Sequence, residues 1–161
     1  MKKYIPILFL ISAIIAISGC ISSQTSGSGN VINQTENVSG FDQVVLNGTG
    51  TLIITQGDNE SLVVEAEDNV IPNINTEVTD NQLKIELKSY SINPTKPIKY
   101  HLTVKDLNSV TISGTGKIES DSLNTTKLTI KIDGASEGNI ADLNVDQLII
   151  DINGAGKLNI A

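Results

Sequence analysis

The sequence feature that most constrains this chain is a repeat of 20 residues between Asp106 and Ala161. Three glycine elbows of the form Ile-x-Gly recur there, and their isoleucines, Ile112, Ile132 and Ile152, are 20 positions apart. The aliphatic residues that lead into each elbow keep the same alternation. A fixed period of this length is typical of proteins built from stacked coils of backbone. The spacing therefore predicts parallel coils with the three isoleucines in one column.

A single coil of this size buries too little apolar surface to offset the entropy lost when its backbone is ordered. Stacking supplies what is missing, through hydrogen bonds between coils and a core that neighbouring coils share. Glycines at the elbows permit corners with positive φ and a close approach of one coil to the next. The alternative is an antiparallel meander, a sandwich whose turns are alike by chance.

The N-terminal half of the folded part also has the pattern of strands. A fourth elbow, Asn47-Gly48-Thr49-Gly50, follows an alternating segment that begins at Phe41. Strict alternation over 83–88 and 98–105 is typical of half-buried strands. In the second segment it directs Ile98, Tyr100, Leu102 and Val104 inward and Lys99, His101, Thr103 and Lys105 outward. We predict an all-β domain over 41–161, with about 20-residue repeats in its C-terminal half and additional strands in its N-terminal half.

The first 19 residues have the pattern of a signal peptide. Lys2 and Lys3 precede an apolar run that is too short for a comfortable membrane span. The run ends in Ile17-Ser18-Gly19-Cys20, which resembles the lipobox of prokaryotic lipoproteins, so we expect lipid attachment at Cys20. The alternative is a plain signal peptide or an uncleaved anchor with a chance cysteine. Residues 20–40, rich in Ser, Gly, Asn, Gln and Thr, are expected to be a lipidated flexible tether.

Composition excludes two possibilities. The formal net charge is −7 and no arginine is present, so the basic surface that nucleic-acid binding needs is missing. Cys20 is the only cysteine, so the domain contains no internal disulfide.

Three groups of residues are candidates for chemistry, each with a simpler interpretation. His101 is the only histidine and could be a ligand or a base, but a surface histidine with no partner His or Cys is the simpler interpretation. The acidic segments 58–60 and 65–69 offer oxygen ligands for calcium but lack the spacing of calcium loops, so solvated turns are the alternative. Asp133, Asp142 and Asp151 could form a carboxylate row for polysaccharide cleavage, but Ser113 and Asn153 occupy the positions equivalent to Asp133.

Five asparagines lie in Asn-x-Ser/Thr sequences that a glycosylating host could modify: Asn33, Asn37, Asn47, Asn59 and Asn124. Of these, Asn47 lies in a glycine elbow and is the least suitable acceptor.

The opening Gly40-Phe41-Asp42-Gln43-Val44, the turn Thr55-Gln56-Gly57 and the Ile-x-Gly-x-Gly elbows resemble the putative auto-transporter adhesin, head GIN domain family. The resemblance extends from Gly40 to Ala161. It implies a right-handed parallel β-helix-like solenoid on a secreted or lipid-anchored protein, and it brings no established active site.

We therefore expect a lipid-anchored cell-envelope protein whose extracytoplasmic head binds or organises surface macromolecules, without catalysis, cofactor or metal. Its expected partners are the membrane, through lipid on Cys20, and an unidentified surface macromolecule. An envelope module that binds glycans or small ligands is one alternative, weakened because Tyr90 and Tyr100 are the only tyrosines after the leader. A polysaccharide-acting enzyme is another. The last strand ends at Ala161 with an open edge that Asp151 and Lys157 partly blunt, so self-association is a further hypothesis.

Overall fold

The computed structural model describes residues 25–88 and 92–161, so the predicted signal peptide, Cys20 and Tyr90 lie outside the described residues. The described part is all-β. It contains no α-helix and one 3-10 turn at Ile71–Asn73. Its strands are β1 (Thr25–Ser26), β2 (Val31–Glu36), β3 (Gln43–Gln56), β4 (Ser61–Glu67), β5 (Ile74–Thr79), β6 (Gln82–Leu87), β7 (Ile92–Asn93), β8 (Lys99–Val104), β9 (Ser109–Ser120), β10 (Leu123–Gly134), β11 (Glu137–Ile140), β12 (Leu143–Gly154) and β13 (Lys157–Ile160).

The 20-residue repeat is a repeat of strands that lie side by side in the same direction. β10 pairs in parallel with β9 on one side and with β12 on the other. Ile132 is the register partner of both Ile112 and Ile152, as the spacing predicts. Beyond the elbow, β11 pairs in parallel with β9 and β13 in the same register. The antiparallel meander therefore does not describe this part of the chain.

The glycine elbows form a ladder through the stack. Gly48, Gly114, Gly134 and Gly154 have φ between 133° and 142°, a region that side chains disfavour. A Cβ atom at each of the last three would overlap the carbonyl oxygen of the glycine before it in the ladder. The elbow at Gly48 in β3 therefore stacks on the elbow at Gly114 in β9, because the two glycines are register partners.

In the sequence, extra strands lie between Gly48 and Gly114, although these two glycines are neighbours in the ladder. β3 pairs in parallel with β6, β8 and β9, whereas β4 pairs antiparallel with β8 and β2, and β5 antiparallel with β6. The main sheet runs in the order β12-β10-β9-β3-β8-β4-β2 and is open at both ends. The predicted additional strands are therefore present, and this half mixes parallel with antiparallel pairing.

One apolar core runs along the inside of the stack. The four residues of β8 and its approach that were predicted to face inward, Ile98, Tyr100, Leu102 and Val104, are all buried. Leu128, Ile130 and Ile132 of β10 are also buried. Their equivalents in β12 are not, because Leu148, Ile150 and Ile152 are 37%, 45% and 39% exposed. The column continues to β12, and the burial stops one layer earlier because β12 is the edge of the sheet.

The segment predicted to be a flexible tether is ordered from residue 25 onward, which corrects that expectation for residues 25–40. β1 pairs with β7, and all six residues of β2 pair antiparallel with β4. Most of the β2 side chains are exposed, so backbone hydrogen bonds rather than apolar burial hold this strand. The amino-acid composition of a segment indicates how much apolar surface it can bury, but it does not show whether its backbone pairs with another strand. Residues 21–24 lie outside the described part. Within that part, no helix has the length and apolar character needed to cross a membrane.

Candidate functional site: a polar cleft

A cleft of about 920 Å³ with a polar lining lies where β10 and β12 begin and where β3 and β8 end. We call it the polar cleft. Its lining combines carboxylates with side-chain amides, contributed by Asp42, Glu60, Asp106, Asp146, Gln56, Asn81, Asn108, Asn124 and Asn144. These residues span more than 100 positions of the sequence, and the parallel stacking of the strands brings them together.

Gln56, the last residue of β3, fastens the floor of the cleft. Its side-chain nitrogen donates to the backbone oxygens of Lys105, at 3.1 Å, and Asn124, at 2.9 Å. Its side-chain oxygen accepts from the backbone N–H of Asn124 at 2.9 Å. A single side-chain amide thus joins the ends of β3 and β8 to the start of β10 at the floor of the cleft.

Asp42, which lines the cleft, is held in place by Asn108. Its Oδ2 accepts from Nδ2 of Asn108 at 2.7 Å, and its backbone oxygen accepts from the backbone N–H of Asn108, also at 2.7 Å. Its Oδ1 is buried and makes no hydrogen bond with any described residue. A buried acceptor without a donor is unfavourable. The two bonds to Asn108 therefore fix the Asp42 carboxyl group in one position.

Asn124 and Asn144, which also line the cleft, form an exposed amide pair. They occupy equivalent positions of successive repeats, and Nδ2 of Asn144 donates to Oδ1 of Asn124 at 3.3 Å. The spacing between neighbouring strands, about 4.8 Å, repeats the same amide along the stack. Regularly spaced polar groups of this kind suit an extended ligand with repeated hydroxyl or amide groups.

His101 has a partner that the sequence did not reveal. Its Nε2 lies 3.1 Å from Oε2 of Glu65, whose Oε1 is 2.7 Å from Nζ of Lys99. The hydrogen bond from Lys99 and then that from His101 hold the pKa of Glu65 below its ordinary value. Pairing of β4 with β8 sets Glu65 opposite Lys99. This group lies on the outer face of the sheet, where the His101 side chain is partly exposed.

The acidic segment 65–69 joins the end of β4, which includes Glu65 and Glu67, to a turn at Asp68 and Asn69. Glu67 is buried, and its carboxylate accepts from the Thr95 hydroxyl at 2.5 Å and from the backbone N–H groups of Gly29 and Thr95 at 2.7 and 2.8 Å. These bonds, that of the Thr95 hydroxyl first, hold the pKa of Glu67 below its ordinary value although burial opposes them. Asp68 accepts from Ser28 and Asn30 in the same way. The two carboxylates thus fasten the N-terminal segment to the domain.

The remaining candidate carboxylates do not come together as a catalytic row. Asp133 and Asp151 are both bonded by the side chain of Asn153, whereas Asp142 lies in the connection between β11 and β12. Glu60, from the other acidic segment, accepts from the backbone N–H of Gly40 at 2.5 Å. In residues 25–88 and 92–161 no three His, Cys, Asp or Glu side chains are grouped to hold a metal ion.

Four of the five asparagines in Asn-x-Ser/Thr sequences, at positions 33, 37, 59 and 124, are exposed. Asn47 is half-buried and donates to Oε1 of Glu86 at 3.1 Å, in keeping with its position in an elbow.

The fold and the cleft define a class of protein: an open all-β stack of mostly parallel strands with a polar cleft. The chain belongs to the family described as putative auto-transporter adhesin, head GIN domain, which matches residues 40–161. Membership of this family indicates a surface or extracytoplasmic protein. No curated protein matches the chain.

Several solved structures are similar in fold. A structure from Parabacteroides distasonis described as a putative lipid binding protein has a TM-score of 0.65 and 20% identity, covering 80% of this chain and 61% of that one. A putative adhesin from the same species has a TM-score of 0.63 and 18% identity, with 84% and 67% covered. A putative cell adhesion protein from Clostridium sporogenes has a TM-score of 0.51 and 15% identity, with 81% and 99% covered. The chain thus spans about three fifths of the first structure, and identities this low show the fold alone.

Proposed function

We propose that this protein is a lipid-anchored, extracytoplasmic adhesin-type protein whose head binds or organises surface macromolecules without catalysing a reaction. The observation that carries the proposal is the repetition of polar side chains across neighbouring strands, as in Asn124 with Asn144 and Asp133 with Asn153. Such rows give a rigid surface with polar groups at regular intervals, which fits an extended partner better than a small substrate. The family description agrees with a binding role.

The architecture that goes with this proposal is a right-handed parallel β-helix-like solenoid in the C-terminal half. Support comes from the 20-residue parallel register of β9, β10 and β12 and from the ladder of glycine corners.

The anchor is the second part of the proposal. Only residues 21–24 separate Cys20 from the first ordered strand, β1. Five peptide steps at about 3.5 Å each reach roughly 17 Å. A lipid on Cys20 would therefore hold the head close to the membrane, with β1 nearest to it.

The anchor is tested by feeding cells an alkyne-labelled fatty acid and comparing wild-type protein with Cys20→Ala. We expect label on the wild-type protein and loss of at least nine tenths of it in the variant. Equal labelling of the two proteins would contradict lipidation at Cys20.

The binding role is tested by deleting the gene and measuring attachment of cells to one another and to surfaces. We expect reduced attachment that the wild-type gene restores. Attachment and envelope integrity that are unchanged in the deletion strain would contradict the proposal.

A second candidate function is the binding of a glycan in the polar cleft. The favouring observation is the lining of the cleft by carboxylates and side-chain amides, since sugar hydroxyls donate to carboxylates and bond to amides. Phe41 in the same cleft is only 2% exposed, so it offers no face for a sugar ring to stack on. The polar lining also fits a glycan better than an acyl chain.

A glycan array distinguishes this second candidate from the first. Binding should fall at least tenfold in Asp42→Asn and stay unchanged in Asn153→Ala, whose exposed amide lies outside the cleft. An array without any signal would remove the candidate.

A further inference from the structure

Another pocket, of about 580 Å³, lies at the glycine elbows of β3 and β9. The loop 93–97 contributes to its wall, and its charged residues are Lys96 and Lys117. None of the described residues that line it is acidic, although the chain as a whole has a formal net charge of −7. We call it the lysine pocket. Its charge is opposite to that of the polar cleft, whose lining contains four carboxylates and one lysine.

The uncharged part of the lining supplies donors for an anion. Thr49 and Thr51 lie in and after the elbow of β3, Thr115 lies in the elbow of β9, and Asn93 lies on the loop. Hydroxyl and amide groups donate hydrogen bonds to phosphate oxygens. Thr51 and Lys117 are register partners, so a hydroxyl and an amine stand on neighbouring strands about 4.8 Å apart. The lysine pocket therefore suits a phosphate group.

Both amines of the lysine pocket are accessible. Lys96 is exposed and forms no salt bridge with any residue that the structure describes. Nζ of Lys117 lies 2.7 Å from Oε1 of Glu119, but these two side chains are 45% and 41% exposed. An exposed ion pair of this kind is weak, so a phosphate can take the place of Glu119. The hydrogen bond to Glu119, and then the charge of Glu137, hold the pKa of Lys117 above its ordinary value, so this amine is charged at neutral pH.

The lysine pocket lies beside the segment that follows Cys20. β1 pairs with β7, and the backbone N–H of Gly27 donates to the backbone oxygen of Asn93 at 2.9 Å. Asn93 is itself part of the pocket lining. Seven peptide steps from Cys20 to Gly27, at about 3.5 Å each, reach roughly 25 Å. A membrane attachment before β1 therefore keeps the lysine pocket within reach of the lipid headgroups.

Glu67 fixes the loop that carries Lys96 to the N-terminal segment. Its carboxylate accepts from the backbone N–H groups of Thr95, at 2.8 Å, and Lys96, at 3.3 Å. The same carboxylate accepts from the backbone N–H of Gly29 at 2.7 Å. Lys96 therefore has a defined position relative to the segment that leads to the membrane.

We propose that the lysine pocket binds the phosphate groups of anionic lipids in the membrane that holds this protein. The proposal rests on the anchoring of the chain before β1 that is part of the proposed function. Each lysine near an anionic membrane surface raises the bound population about fivefold, so two lysines raise it about 25-fold. Such an attraction is weak for a free protein, but it is sufficient for a head that an anchor already holds at the surface.

This contact orients the head on the membrane. The polar cleft lies where the strands begin and end, whereas the lysine pocket lies at their elbows. Along β3, five residue steps separate Thr51 in the pocket from Gln56 in the cleft, a distance of about 17 Å in a strand. An anionic surface attracts the lysine pocket and repels the carboxylates of the cleft. The contact therefore leaves the polar cleft free for a partner outside the membrane.

Methylation of lysine amines in reconstituted vesicles tests the contact. The membrane-anchored protein is purified from cells in detergent and placed in vesicles of phosphatidylcholine, with or without phosphatidylglycerol. Formaldehyde and a borohydride, which are applied in both cases, methylate accessible amines, and mass spectrometry measures each site.

We expect Lys96 and Lys117 to react at least fivefold more slowly when phosphatidylglycerol is present. Lys105 and Lys127, exposed lysines outside the lysine pocket, should react at unchanged rates. High salt should remove the protection, since it screens the attraction between exposed charges. Equal rates for Lys96 and Lys117 in the two kinds of vesicle would overturn the proposal.

Charge-reversed variants test the two lysines separately. Lys96→Glu should remove most of the protection of Lys117, and Lys117→Glu should do the same to Lys96. Lys127→Glu makes the same change of charge outside the pocket and should leave both protected. Circular dichroism checks that all three variants are folded. Equal loss of protection in Lys127→Glu would show an effect of net charge alone and would overturn the assignment to this pocket.

Two further additions identify the source of the anion. Inorganic phosphate, added to vesicles of phosphatidylcholine alone, should protect neither lysine. Protection by inorganic phosphate would assign the lysine pocket to a soluble anion. Protection by polygalacturonate, with none from phosphatidylglycerol, would assign it to an acidic surface polymer. Either result overturns the proposal.

The alkyne label on Cys20 separates this inference from the proposed anchor. Label on Cys20 together with unprotected lysines refutes the headgroup contact and leaves the lipid anchor. Protected lysines without label refute lipidation and leave the headgroup contact, since an uncleaved leader would hold the head at the same place. The attachment of the deletion strain tests the binding role independently of both.

Discussion

Gly134 lies directly against the carbonyl oxygen of Gly114, with no space for a Cβ atom between the two strands. The same relationship joins Gly114 to Gly48 and Gly154 to Gly134. Each corner of the stack therefore depends on the corner beneath it, and the spacing of the strands is set where two glycines meet.

We predict that Gly134→Ala destabilises the domain by about 2–4 kcal/mol, since it combines an unfavourable φ of 142° with a backbone overlap. The control is Gly29→Ala. Gly29 has a φ of 80° but open space around its Cα, so only the conformational cost of about 1–2 kcal/mol applies. Urea unfolding followed by circular dichroism measures both. Equal losses in the two variants would show that close packing at the corner is unimportant.

The carboxylate of Glu67 joins the N-terminal segment to the loop after β7, which leads to a second prediction. Glu67→Gln replaces one acceptor oxygen with an NH₂ group that would face the N–H donors of Gly29 and Thr95. We expect residues 25–30 to exchange amide hydrogens at least tenfold faster, with little change in β9 and β10. Glu77→Gln, an exposed residue outside this contact, is the control. Unchanged exchange in residues 25–30 would refute the assigned role of Glu67.

The pH dependence of this attachment follows from the lowered pKa of Glu67. A carboxyl group with a lowered pKa in the folded state stabilises it above the ordinary value of 4.5, and this contribution is lost as pH falls through the lowered value. Wild-type residues 25–30 should therefore stay protected near neutral pH and become exposed below pH 4.5. In Glu67→Gln the protection should be low at both pH values. Hydrogen exchange at the two pH values, corrected for the intrinsic rate, measures this difference.

The parts of the fold that could be predicted from the sequence are those with a local signature. The period that links Ile112, Ile132 and Ile152 is visible in the sequence because each coil repeats the same backbone path. The elbow at Gly48 was also visible, but its pairing with Gly114 was not, because inserted strands break the 20-residue period between them.

The ordered N-terminal segment and the polar cleft could not be predicted, for a common reason. Segment 25–36 is held by hydrogen bonds to distant residues, such as those from Gly29 to Glu67 and from Asn30 to Asp68, each across 38 positions. The cleft joins Asp42 to Asn108 across 66 positions. Bonds of this kind have no period and no composition signature, so they appear only once the topology is known.

Ile130 and Ile150 occupy the same position in successive repeats and give the last prediction. They are register partners, but Ile130 is 1% exposed and Ile150 is 45% exposed. Ile130→Ala should cost about 2–4 kcal/mol because it opens a cavity in the core, whereas Ile150→Ala should cost less than about 1 kcal/mol in dilute, monomeric protein. Thermal unfolding at low protein concentration measures both. Equal losses in the two variants would contradict the effect expected from this difference in burial.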